Sequence, residues 1–108
     1  MPEFFDLADY YRGWVVGNFS PSIERIDSCE VSVIHHTKQE ESQAHYHTSS
    51  REINIVVLGK VRVNNVTLEE NGIFVYNAFE VSEVEFLEDS ILCVIRVPST
   101  PTDKVIVT

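Results

Sequence analysis

The sequence is short of cations, of cysteine and of long apolar stretches, and each shortage narrows what the chain does. Eight Lys and Arg stand against 17 Asp and Glu over 108 residues, a formal net charge of −9. Such a surface repels phosphate backbones and anionic lipid headgroups, so neither nucleic acid nor a membrane surface is an expected partner. There are two cysteines, Cys29 and Cys93, with no C-x-x-C spacing. They form no disulfide framework and are expected to be buried free thiols in strand-like, apolar surroundings. The longest apolar run, Ile91 to Ile95, falls far short of the ~20 residues of a membrane helix. Met1 to Asp6 is acidic and has no basic segment ahead of an apolar one, so no signal peptide is expected and a cytoplasmic location follows by default. Also missing are G-x-S-x-G, a phosphate-binding loop and a Cys/His nucleophile pair, which leaves covalent hydrolysis and nucleotide turnover unsupported.

What is present reads as strands and turns in one domain, residues 1–108, with 44% hydrophobic residues to form one modest core. Glu30 to His36 is rich in β-branched residues, Lys38 to Gln43 reads as a loop, and Ala44 to His47 is short and extended. Glu52 to Leu58 is a strand ending at Gly59, and Lys60 to Val63 alternates with period two. Asn64-Asn65 is a hairpin turn, because Asn tolerates positive φ, and Val66 to Leu68 is the returning strand. Glu69 to Gly72 is a turn, Ile73 to Tyr76 a strand, Glu83 to Leu87 alternates again, and Ile91 to Val97 is the last strong strand, stopped by Pro98. Short strands with turn signals every eight to twelve residues indicate an all-β sandwich or barrel. Glu3 to Arg12, broken at Gly13, is the one helix candidate, with Tyr10-Tyr11 equally able to start a strand, and Val105 to Val107 is an added edge strand.

One cluster carries chemistry. His45-Tyr46-His47 sets two imidazoles two residues apart, which on a strand places both on one face. A turn then brings Glu52 back beside them, and Gly59 suits a tight turn in which a side chain would clash. Two imidazoles and one carboxylate converging on a point make a divalent-metal site, with open positions as in facial-triad Fe(II) oxygenases. The pattern H-x-H-x4-E-x6-G arises by chance in a chain this long on the order of once in several thousand. With Glu52 inward, period two turns Asn54, Val56 and Leu58 inward as well, and turns Ile53, Ile55 and Val57 outward, where a second sheet or a second subunit must cover them. Asn54 either orients a ligand or bonds a neighbour. One of His35 and His36 should face inward, with a structural bond or an acid/base role, and Tyr76 and Arg96 lie on later strands, where an inward arginine would suit an anionic substrate.

The pattern resembles the first motif of the small single-domain cupin (RmlC-like jelly-roll) family, over about residues 31–97. The resemblance implies an all-β double-stranded β-helix barrel, a divalent metal ion (Fe, Mn, Ni or Zn) held in its mouth by His45, His47 and Glu52, and a homodimer. The sequence departs from the family in two places. Gln39 stands where the first motif opens with Gly. In the second motif, G-x5-P-x-G-x2-H, counting from Gly72 puts Ala78 at the Pro, Glu80 at the second Gly and Glu83 at the His that is the fourth ligand. Glu83 is therefore the expected oxygen ligand in its place, with Glu80 the candidate if the register shifts by one. The resulting set is harder than three histidines and favours Fe(II), Mn(II) or Ni(II). Three functions fit: a metal-dependent enzyme on a small oxygenated molecule, of isomerase, epimerase or dioxygenase type; a non-catalytic module binding a sugar or small acid; or a barrel serving only oligomerisation.

Overall fold

The computed structural model describes residues 1–108. Ten strands follow two short 3-10 turns: β1 (Trp14–Val16), β2 (Glu30–His36), β3 (His45–His47), β4 (Arg51–Leu58), β5 (Val61–Val63), β6 (Val66–Leu68), β7 (Ile73–Tyr76), β8 (Val84–Phe86), β9 (Ser90–Val97) and β10 (Lys104–Ile106). The expected strands are all present. The expected helix over Glu3 to Arg12 is not: only Leu7–Asp9 and Tyr11–Gly13 turn, each for three residues. Tyr10 is extended between them and Arg12 takes φ 51, so no run reaches the length at which a helix sustains itself without packing. The strand β1 that follows opens at Trp14 rather than at Tyr10-Tyr11, where a strand was the alternative to the helix; its three residues are too few to show a period.

Five strands form one sheet in the order β1-β2-β9-β4-β7, three form β6-β5-β8, and two form β10-β3. A bridge between His45 and Ser82 joins the two smaller sheets into a second layer. The layers meet on a core of Val56, Val61, Val63, Tyr76, Phe86, Leu92 and Val94, flanked by Trp14, Ile34, Leu68, Phe74 and Val84. Each such side chain, fully buried, contributes about 1.5–3 kcal/mol. β4 shows how the pattern fixes the register. Glu52, Asn54 and Val56 are buried while Ile53 and Ile55 are half-buried on the other side. The alternation stops there: the register with β9 shifts between Val56 and Leu58, and Leu58 turns out to 48% exposure instead of inward. A bulge adds a residue and breaks the period-two rule beyond it. Gly59 follows with φ 97, and a Cβ there would come within 2.5 Å of the Asp89 carbonyl, so this turn needs glycine.

Tight turns hold the rest. Asn64 (φ 43) and Asn65 (φ 73) make the expected hairpin with both central residues left-handed. Gln39, at the position where the motif has glycine, takes φ 60, a left-handed conformation that glycine adopts freely. Cys29 and Cys93 are free thiols, half-buried rather than buried. No helix is long and apolar enough to cross a membrane.

Candidate metal centre

The histidines of β3 and the first inward residue of β4 come together. Ligand atoms of His45, His47 and Glu52 all lie within 4.8 Å of one another. Metal–ligand bonds of about 2.0–2.2 Å put neighbouring ligand atoms about 3–3.4 Å apart, so small side-chain rotations close the set. Both rings are already oriented. His47 Nδ1 donates to Asp103 Oδ1 at 2.7 Å, and His45 Nδ1 donates to the Gln43 carbonyl at 2.9 Å. With Nδ1 committed on each ring, Nε2 is the free nitrogen. On His47, only 5% exposed, that Nε2 has no hydrogen-bond partner. A buried unpartnered polar atom costs about 1–3 kcal/mol, which a ligand bond would recover. The donor set, two imidazole nitrogens and a carboxylate, therefore fits a divalent metal ion.

Electrostatics agree. Burial lowers the His45 pKa below the ordinary histidine value; Lys104 and His47 add to this, while the Gln43 carbonyl and Glu52 oppose it. The neutral ring is the form that ligates. Glu52 is fixed by Arg96, whose Nε donates to Oε1 at 3.0 Å. Arg96 also donates to the buried Glu30 at 3.2 Å and stacks over Trp14 at 4.7 Å. It is an inward arginine committed to the site's carboxylate.

Asp103 comes from the tail. β10 pairs with β3 so that Lys104 lies opposite His47 and Ile106 opposite His45. This carries Asp103 onto the loop after β3, where Oδ2 also accepts from the Ser49 and Ser50 amides at 3.1 and 3.0 Å. Burial alone would raise this carboxyl, but the hydrogen bonds from His47, Ser49 and Ser50 outweigh it and bring it from 3.8 to about 2. The tail was expected to add an edge strand at Val105 to Val107; what its sequence did not show is that Asp103 reaches His47, because 56 residues separate them.

Glu83 does not join the cluster. It is exposed, and its backbone N–H donates to Asn64 Oδ1 and to the Tyr76 hydroxyl. Glu80 is exposed too, capping the Asn77 N–H at 2.7 Å. The reason is register. The left-handed turn residue is Phe79 (φ 67), not Glu80, so the third residue after it is Ser82. Ser82 is buried, donates its N–H to the His45 carbonyl at 2.7 Å and lines the cavity beside the cluster. A neutral hydroxyl stands where the fourth histidine was sought, leaving three strong ligands.

The cluster opens on a cavity of about 260 Å³ between the layers, close to the lower end of the ~300–1,000 Å³ usual for small-molecule sites. Phe74, Leu92, Val94 and Val84 form an apolar patch in a lining that is otherwise mostly polar, with His36, Glu40, Gln43 and Arg96 among it. His36 faces it, while His35 points out. His36 stacks on Phe86 with ring centroids 4.1 Å apart, and its Nδ1 lies 2.6 Å from Glu40 Oε2. Asn54 makes no use of its Nδ2, which is buried without a partner. Tyr76 is structural, its hydroxyl donating to Asn64 Oδ1 at 2.7 Å.

No protein-family model matches the chain, and no curated protein matches its sequence. Solved structures do share its shape. A Klebsiella pneumoniae protein with a double-stranded β-helix domain superposes with a TM-score of 0.71 at 16% identity, over 96% of this chain and 90% of that one. DMSP lyase DddQ from Ruegeria pomeroyi gives 0.71 at 12% identity over 85% of this chain, which spans only 48% of the lyase. A cupin-2 domain protein from Shewanella frigidimarina gives 0.58 at 16% identity, over 69% of this chain and 76% of that one. The fold is the cupin-type double-stranded β-helix.

Proposed function

We propose that the chain is a metal-dependent enzyme acting on a small oxygenated molecule held inside the barrel. The observation that carries this is the orphaned Nε2 of His47, buried beside His45 and Glu52 and aimed by Asp103. A divalent ion held by these three residues would supply Lewis acidity towards a ligand oxygen. The chain's own groups do the rest. Asp103 and the Gln43 carbonyl hold the rings, and Arg96 holds Glu52. His36, which lines the cavity with its Nδ1 held by Glu40, is assigned as the acid/base group. This pair favours isomerase, epimerase or lyase chemistry over a dioxygenase. The DMSP lyase of the same fold supports the reading that such a barrel can be an enzyme.

The outer face of the large sheet is proposed to be covered by a second copy. Ile53 pairs with Val75 and Ile95, and Ile55 with Ile73 and Cys93, a ladder of apolar neighbours. Val57 and Ile73 are 52% and 59% exposed. At net charge −9 the remaining surface repels a copy of itself, so this largely apolar face, with Arg51 as its one charge on β4, is where two copies would meet.

The test is solvent deuterium exchange. The metal-loaded chain, incubated in D2O with a panel of small oxo acids, hydroxy acids and sugars, should catalyse uptake at the carbon beside a carbonyl for at least one of them. His47→Ala and His36→Gln should each abolish it. Thermal stabilisation by a panel member with neither exchange nor turnover would instead make the chain a non-catalytic binding module.

A further inference from the structure

Asn54 follows Glu52 by two residues on the same face of β4, so its side chain lies one strand step, about 6.6 Å, further along the cavity wall. It is 4% exposed and lines the cavity. Its inward neighbours across the sheet are Phe74 on β7 and Val94 on β9, neither of which accepts a hydrogen bond. Nδ2 consequently has no partner. An apolar residue of similar size would satisfy this position as packing, so a lone amide donor is an unexplained cost unless something in the cavity accepts from it.

Three acids, Glu40, Glu41 and Glu52, and three cations, Arg12, Arg96 and Lys104, line the same cavity, and they are not engaged alike. Glu52 and Glu30 are engaged by Arg96, and Glu40 by His36. Glu41 is exposed. Two cations on the lining, Lys104 and Arg12, form no ion pair. Lys104 lies opposite His47 in the β10–β3 pair and so shares its face. Burial lowers its pKa below the ordinary lysine value, and repulsion from Arg96 and Arg12 adds to this while Glu52 opposes it. Three of the chain's eight Lys and Arg thus line this one cavity, and two of them have no carboxylate partner.

We propose that Asn54, with Lys104 and Arg12 at the rim, forms a subsite for a small carboxylate-bearing molecule beside the metal-ligand cluster. The two cations draw the anion in and neutralise it, and Asn54 Nδ2 donates to one of its oxygens. Together with the cavity volume of about 260 Å³, this makes the ligand a small organic acid rather than a neutral sugar. The proposal rests on the reading that the barrel holds a small oxygenated ligand, and names its class.

The probe is malonate, with its neutral diamide, malonamide, as the control of equal shape. Both are titrated calorimetrically into the full chain as purified, and metal content is determined on the same samples. Malonate should bind and malonamide should not. Asn54→Leu should weaken malonate about tenfold, the size of one buried hydrogen bond. It should also melt no lower than the parent, since it removes an unpartnered donor. A structural role for Asn54 would lower the melting temperature instead. Lys104→Gln, on an exposed strand, should weaken malonate and flatten its dependence on salt. Equal binding of malonate and malonamide, no malonate binding to the parent chain, or unchanged affinity in both variants would each overturn the subsite. Metal content separates the two readings: bound metal with no malonate effect removes the subsite alone, whereas the malonate pattern without any metal removes the metalloenzyme alone.

Discussion

Asp103 reaches across 56 residues of sequence to accept a 2.7 Å hydrogen bond from His47 Nδ1. The contact fixes which nitrogen of His47 remains for a metal. Removing it in Asp103→Ala should lower affinity for a divalent ion about 10–100-fold, the usual effect of losing such a support. Competition against a chromophoric chelator measures this. Undiminished affinity would mean that His47 is oriented by something else.

The same carboxyl makes stability depend on acid. Burial would raise its pKa, but the hydrogen bonds it accepts bring it to about 2, below its ordinary 3.8. A folded-state value below the unfolded one stabilises above the unfolded pKa. That stability is lost as pH falls from about 4 towards 2, on the order of 2 kcal/mol in the metal-free chain. Urea melts across this range should show the loss in the parent, and a shallower one in Asp103→Asn.

Ser82 occupies the place where a fourth ligand was sought in Glu83. Ser82→His should therefore raise metal affinity about tenfold or more by adding an imidazole to the cluster. Glu83→Gln and Glu80→Gln should leave affinity within about twofold, because both side chains are exposed charges outside the cavity. Titration of the three variants side by side decides between the two placements; a large loss in Glu83→Gln would restore the carboxylate as a ligand.

Much of this was legible in sequence because short-range rules govern it. The period-two pattern of β4 gave Glu52 and Asn54 their inward face, and the Asn64-Asn65 pair announced its hairpin. Sequence also brought His45, His47 and Glu52 together, since a strand and a short turn are enough to do so. It failed where one residue changed the count. A bulge reversed Leu58, and a left-handed turn at Phe79 rather than Glu80 moved the inward position from Glu83 to Ser82. It was also blind to long-range partners: the pairing of β10 with β3, which delivers Asp103 and Lys104, depends on two short strands with no periodic signal of their own.

The apolar outer face makes a prediction about mass. Light scattering at micromolar concentration should give a dimer. Ile95→Glu, between Val31 and Ile53 on that face, should give a folded monomer, because a charge buried in an apolar contact is strongly unfavourable. A monomeric parent chain would leave the face uncovered by a second copy.

The central claim is that His45, His47 and Glu52 hold a metal ion. Elemental analysis of freshly purified chain, beside a His45→Ala/His47→Ala double variant, tests it most directly. About one transition metal ion per chain, absent from the double variant, is the result expected of a two-histidine, one-carboxylate site. No metal in the parent chain, and none taken up on reconstitution, would contradict the account.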